Sequence, residues 1–196
     1  MIFKRKSTYD WLVAGLGNPG LQYENTRHNA GFMAVDAMAD DLGFEFNKNK
    51  YDALIGECKI GDNRVLVIKP QTYMNNSGKA VQKISAFYKI PNDRIIVLHD
   101  DISFDIGVLR TRRKGSDGGQ KGLRDIIELL GTDEIIRIKI GVGKKPSNGT
   151  DTVNWVLGKF PLDSAEDLKK ALERAGKAVK EIVLRGIDSA MNKYNS

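Results

Sequence analysis

The sequence predicts an α/β fold: one domain over residues 1–196, with a mostly parallel, twisted, mixed sheet and helices on both faces. Three observations carry this expectation. Short runs such as Leu12 to Leu16 and Ile95 to Leu98 are apolar throughout, as strands covered on both sides are. Segments with apolar residues at helical spacing alternate with them, and that alternation favours parallel strands joined by helical crossovers. At 196 residues, 41% hydrophobic and 29% charged, the chain can bury roughly 70% of its extended surface in a single core. No stretch is long enough to act as a linker.

The first strand, Trp11 to Leu16, runs into the turn Gly15-Leu16-Gly17-Asn18-Pro19-Gly20. Ala30 to Leu42 puts Phe32, Val35, Met38, Ala39 and Leu42 on one helical face, and Gly43 stops it. Leu54 to Ile60 and Val65 to Ile68 read as a hairpin about Gly61-Asp62-Asn63. Ser77 is placed to cap a helix through Val81, Ile84, Phe87 and Tyr88, ended by Pro91. The strand Ile95 to Leu98 delivers His99, Asp100 and Asp101 at its end. Val108 to Arg112 is a further strand, and the loop Gly115 to Gly119 opens a helix that runs through Leu130. Ile135 to Val142 alternates, with Arg137 and Lys139 making one face basic. The last helix, Ser164 to Arg185, carries the core stripe Leu168, Leu172, Ala175, Val179, Ile182 and Val183.

Composition narrows the function classes. No window is long and apolar enough to span a membrane, and the basic start of the chain, residues 1–9, is followed by no apolar signal region. It reads as a flexible extension of a soluble, cytoplasmic protein. The single cysteine, Cys58, sits in an alternating strand and reads as an inert buried thiol, in keeping with a reducing compartment. The formal charge of +6 suits a polyanionic partner, and its distribution says more: Arg110, Arg112, Arg113 and Lys114 crowd one segment, and Arg137, Lys139, Lys144 and Lys145 lie along another.

The candidate chemistry gathers at strand ends. Asn18 follows the first strand, Tyr73, Met74 and Asn75 follow Val65 to Ile68, and Asp100 follows Ile95 to Leu98. In a parallel sheet the carboxyl ends share one edge, so these groups converge on one crevice. His99 and Asp100 are neighbours on extended chain and face opposite sides, so they pair poorly. His28, arriving on another strand's loop, can reach Asp100. A carboxylate on Nδ1–H fixes the tautomer and leaves Nε2 to accept a proton, which describes a general base. The amides of Asn18 and Asn75 are suited to place a substrate carbonyl and a water, or to donate to an oxyanion.

Other chemistries find less support. There is no Gly-x-Ser-x-Gly elbow, and Cys58 has no partner base. The two histidines have no carboxylates at ligand spacing, so neither a metal nor a cofactor is expected. Gly15, Gly17 and Gly20 satisfy the dinucleotide fingerprint, but Pro19 removes a backbone N–H from the phosphate cradle and no acidic strand end follows about twenty residues on.

Taken together, Gly15 to Gly20, Thr26-Arg27-His28-Asn29-Ala30-Gly31, Lys69 to Gly78, His99-Asp100-Asp101 and Gly141-Val142-Gly143 resemble, in order, the motifs of the bacterial peptidyl-tRNA hydrolase family. The resemblance covers nearly the whole chain from Trp11. It implies a monomeric α/β fold and metal-free cleavage of the ester between a peptide and the 3′ ribose of tRNA, recycling peptidyl-tRNA dropped by ribosomes. It implies that His28 is the base, Asp100 its orienting carboxylate and Asn18 the reader of the peptide main chain. Tyr23, Tyr73, Met74 and Asn75 would line the substrate groove, and Arg110, Arg112 and Arg137 would hold acceptor-stem phosphates.

One stretch departs from the family pattern. Gly118-Gly119-Gln120-Lys121-Gly122 stands where the family usually has a Gly-Gly-His-Asn-Gly-like run. Lys121 replaces a substrate-contacting asparagine, and an ammonium donates but cannot accept. Near a helix N-terminus, Lys121 is suited to meet a phosphate of the substrate. The departure keeps a second reading open, a relative of the same fold that binds RNA without hydrolysis.

Overall fold

A computed structural model describes residues 8–147 and 149–195. In chain order the strands are β1 (Trp11–Gly15), β2 (Lys48–Lys50), β3 (Ala53–Ile60), β4 (Asn63–Pro70), β5 (Ile95–Asp101), β6 (Leu109–Arg112) and β7 (Ile136–Gly141). The helices are α1 (Ala30–Leu42), α2 (Ser77–Tyr88), α3 (Lys121–Leu130), α4 (Thr152–Leu157), α5 (Ala165–Arg185) and α6 (Ile187–Tyr194).

The strands form one sheet in the order β2-β3-β4-β1-β5-β7-β6. Its centre is parallel, β4 on β1, β1 on β5 and β5 on β7, whereas β2 on β3, β3 on β4 and β6 on β7 are antiparallel. Helices α1, α5 and α6 cover one face through Val35, Met38, Leu172, Ala175, Val179 and Ile187. The other face is covered by α2 and α3 through Val81, Ile84, Leu123 and Ile126. The central strands, apolar on both faces, are buried along their length, which is why they are readable as uninterrupted runs.

Three details position the site. Gly31 lies in the first turn of α1 directly over the end of the sheet, where a methyl group would sit 2.3 Å from the Leu98 carbonyl oxygen and 2.4 Å from the Leu16 nitrogen. Leu16 N–H donates to Leu98 O at 2.9 Å and Phe32 N–H to Leu16 O at 3.1 Å, so the helix is tied to the ends of β1 and β5. Ser77 does not cap α2. It is the first helical residue and its hydroxyl donates back to Met74 O at 2.8 Å, while the orphan N–H of Gly78 is taken by Asp125 Oδ2 at 2.7 Å from α3.

Beyond α6 the chain covers the free edge of the sheet. Asn195 Oδ1 accepts from Thr111 N–H and its Nδ2 donates to Thr111 O, so one side chain imitates a pairing strand beside β6. Residues 1–7 of the expected flexible extension lie outside the described residues. Tyr9, at its end, is buried, with its ring edge-on to Tyr88 at 4.9 Å. Cys58 is half-buried in β3, and burial raises its thiol to about 11, so it stays protonated at neutral pH. Among the described residues no helix is long and apolar enough to cross a membrane.

Candidate active site

The carboxyl ends of β1, β4 and β5 open into a cavity of about 650 Å³. Asn18, His28, Tyr73, Met74, Asn75, Asp100 and Lys121 line it, together with His99, Asp101, Gln120 and the α4 residues Thr152, Val153, Val156 and Leu157. A larger groove, about 840 Å³, lies between α1 and α5. Its floor of Met33, Ala37 and Leu168 and its rim of surface acids and lysines bring no reactive set together.

His28 sits in the 3-10 turn Arg27–Asn29 that leads into α1. Its Nδ1 is 2.9 Å from Asp100 Oδ2, with the imidazole 13% and the carboxylate 3% exposed. A carboxylate only accepts, so Nδ1 carries the proton and the lone pair is on Nε2. His99 faces away from this pair, as alternation on β5 requires. Its Nδ1–H donates to the Asp100 carbonyl at 2.7 Å, its Nε2 has no hydrogen-bond partner, and burial lowers its pKa, so the ring is neutral.

Asn18 is held from two directions. Its N–H donates to Asn29 Oδ1 at 2.8 Å, and Asn29 Nδ2 donates to its carbonyl at 3.0 Å. Its own Oδ1 accepts from Met74 N–H at 2.8 Å. The side-chain oxygen is therefore consumed in joining the β1 and β4 loops, and only Nδ2 is left to donate to a substrate. Asn75 follows Met74 in the 3-10 turn Met74–Asn76, exposed on the cavity wall. Tyr23 is not part of that wall but supports it: its ring meets Tyr73 edge-on at 6.4 Å. Tyr73 is 53% exposed and has a positive φ of 59°.

The basic residues divide. Arg110 and Arg112 lie on the edge strand β6, with Arg110 aligned with Lys139, which is aligned with His99. Two strand spacings put Arg110 roughly 10 Å across the sheet from the site. Arg112 is exposed and one pleat repeat further from the cavity. Arg137 departs from the expectation of a phosphate contact. It is 1% exposed, and its guanidinium donates to the carbonyls of Ile135 (3.0 Å), Asp133 (2.7 Å), Ser116 (3.2 Å) and Gly115. The loop before α3 folds over this face of β7 and turns the arginine into its fastener. Lys139 is also committed, 3.0 Å from Asp101 Oδ2.

Several residues of the site are not marked by the sequence pattern. Arg27, 7% exposed, donates from Nε to Val142 O at 3.2 Å and stacks 4.0 Å above the Trp155 ring, so the residue before His28 anchors α4. Asn29 braces Asn18. Gln120, which in sequence is only a departure from the family pattern, donates from Nε2 to Asp100 Oδ1 at 3.0 Å. The cue for Asn29 and Gln120 would have been burial of a polar side chain, which spacing alone does not disclose. Among the described residues no three His, Cys, Asp or Glu side chains are grouped to hold a metal ion.

Comparison with known proteins fits this geometry. The model of the peptidyl-tRNA hydrolase family matches residues 12–196. This chain belongs to the peptidyl-tRNA hydrolase family. The peptidyl-tRNA hydrolases of Clostridium botulinum strain Eklund 17B and of Lachnospira eligens are each 48% identical to it over 185 residues, which is 94% of this chain and 95% and 99% of theirs. The crystal structure of peptidyl-tRNA hydrolase from Acinetobacter baumannii superposes with a TM-score of 0.88 at 37% identity, covering 95% of this chain and 94% of that one. In this member of the family, then, the strand-end cavity carries a glutamine and a lysine, Gln120 and Lys121, on the α3 side.

Proposed function

We propose that this hydrolase cleaves the ester between a peptide, or an N-blocked amino acid, and the 3′ ribose of tRNA, with His28 as the general base. The observation that carries the reading is the His28 Nδ1 to Asp100 Oδ2 contact at 2.9 Å on the wall of a cavity shared with two asparagine amides. His28 Nε2 takes a proton from water as its oxygen bonds to the ester carbonyl carbon. Asp100 stabilises the imidazolium that forms. Asn18 Nδ2 donates to the oxygen that gains charge, and the Asn75 amide places the water. As the tetrahedral species collapses, the carbon–oxygen bond to the ribose breaks and the 3′-hydroxyl leaves with the proton from His28.

General-base catalysis contributes about 10²–10⁴-fold and one oxyanion donor about 10²–10³-fold. These sums suit an activated ester. No step is routed through a metal, and one copy of the chain supplies every group named, which supports a monomer; the reading extends to cytoplasmic peptidyl-tRNA dropped by ribosomes. Arg110 and Arg112 hold the acceptor stem by its phosphates, a contact indifferent to sequence. Tyr73, Met74 and Lys121 line the path of the 3′ end, with Tyr23 behind Tyr73.

The test is release of peptide from N-blocked aminoacyl-tRNA. Wild type is expected to turn over and His28→Ala to lose at least 10²-fold in kcat/KM. A wild type that binds tRNA tightly and releases nothing would establish the alternative, an RNA-binding relative without hydrolysis.

A further inference from the structure

Asp100 is gripped from two sides. His28 takes Oδ2, and Oδ1 accepts from Gln120 Nε2 at 3.0 Å. Gln120 is the N-cap of α3, 7% exposed, and its Oε1 accepts from Leu123 N–H at 2.7 Å. The amide orientation follows from its neighbours: Leu123 N–H can only donate and the Asp100 carboxylate can only accept. Nε2 also lies 2.9 Å from Met74 Sδ, so the amide is fixed between three elements. The start of α3 is thereby wired through Asp100 to the imidazole.

We infer that Gln120 is a positioning residue for the hydrolysis, setting the plane and the basicity of Asp100 and, through it, the proton affinity of His28. A carboxylate that loses one of two donors becomes more basic and draws the imidazolium more strongly, so His28 holds its proton to higher pH. The other charged groups around the pair are already committed or lie on the rim. Asp101 is paired with Lys139, Asp117 with Arg124, Arg27 is stacked on Trp155, and Lys121 stands at the cavity mouth. Glutamine does not titrate, so it fixes Asp100 without adding an ionisation of its own.

This inference rests on the ester hydrolysis proposed above, and its test keeps the two apart. Gln120→Ser keeps a neutral N-cap oxygen for Leu123 N–H but is too short to reach Asp100, whereas Gln120→Leu removes both. With two histidines in the sequence, the ring signals of His28 can be titrated by NMR without reference to activity. The pH dependence of kcat/KM is then measured on N-blocked aminoacyl-tRNA, and thermal melting reports the cap. In both variants the His28 titration and the acid limb of kcat/KM are expected to move up together by about one pH unit, a tenfold loss on the acid side. Only the leucine variant loses stability through the missing cap. A serine variant whose His28 titration and acid limb overlay wild type overturns the inference and leaves Gln120 a helix cap. A wild type inactive on the ester whose His28 titration still follows residue 120 overturns the hydrolase reading but supports the linkage.

Discussion

Asn29 closes a ring of two hydrogen bonds on the backbone of Asn18, accepting at 2.8 Å and donating at 3.0 Å. The residue directly after His28 thus holds the loop that carries the Asn18 side chain on the cavity wall. Asn29→Ala leaves a buried peptide group unpaired and is expected to lower stability by about 1–3 kcal/mol. It should also lower kcat/KM more than tenfold, because Asn18 loses its brace. In a double-mutant cycle with Asn18→Ala the losses in kcat/KM are expected to be markedly less than additive. Additive losses would show that the two asparagines act separately.

Arg137 and Arg112 are aligned across β6 and β7, yet Arg137 is buried and Arg112 exposed. Arg137→Met removes a donor from four carbonyls, of which Asp133 O keeps Gly115 N–H, and is expected to cost about 3 kcal/mol in a denaturant titration. Arg112→Ala, on the exposed edge, should change stability by about 0.5 kcal/mol or less. It should instead weaken tRNA turnover and reduce the slope of log affinity against log salt by about 0.9 for each phosphate that is no longer neutralised. An unchanged slope for Arg112→Ala would remove this arginine from the tRNA path.

The burial of His99 makes a prediction about acid stability. Its pKa is pushed down in the folded state, so the folded ring stays neutral while the unfolded chain takes up a proton below about pH 6.5. Protons bound preferentially by the unfolded state mean that stability falls as pH drops through that value, by at most about 1.4 kcal/mol per pH unit for one group. Urea midpoints of wild type between pH 7.5 and 5 should decline more steeply than those of His99→Gln. Parallel declines would mean that other groups carry the acid sensitivity.

Gly31 has no room for a side chain, since backbone atoms of Leu98 and Leu16 lie where a methyl group would go. Gly31→Ala must lift the start of α1 away from the end of β5, and with it the turn that bears His28. The expected result is a loss of kcat/KM of tenfold or more and a lower melting temperature, with the His28–Asp100 contact lengthened in a crystal structure of the variant. A fully active Gly31→Ala protein would show that His28 is placed independently of the helix.

Much of this arrangement is legible in the sequence. The parallel centre can be read because β1 and β5 are apolar on both faces, and the His28–Asp100 contact because alternation along β5 turns His99 the other way. The misses share a physical reason. The segment Lys48–Lys50 is a three-residue exposed strand without pattern, α4 is too short for a helical period, and α6 follows α5 across Gly186 alone. Arg137 reads as part of a basic face because alternation reports which side a residue points to, not what lies over it. Asn29 and Gln120 satisfy backbone and carboxylate groups far away in sequence, and such partners become visible only once the chain is folded.

The Asn195 amide that bonds both backbone groups of Thr111 lies 84 residues downstream of it, so during synthesis the strand emerges long before its cover. Until that segment arrives, β6 offers a bare ribbon of donors and acceptors to any neighbouring extended chain. A variant shortened before α6 would therefore be prone to self-association through this margin, even with its reaction centre intact.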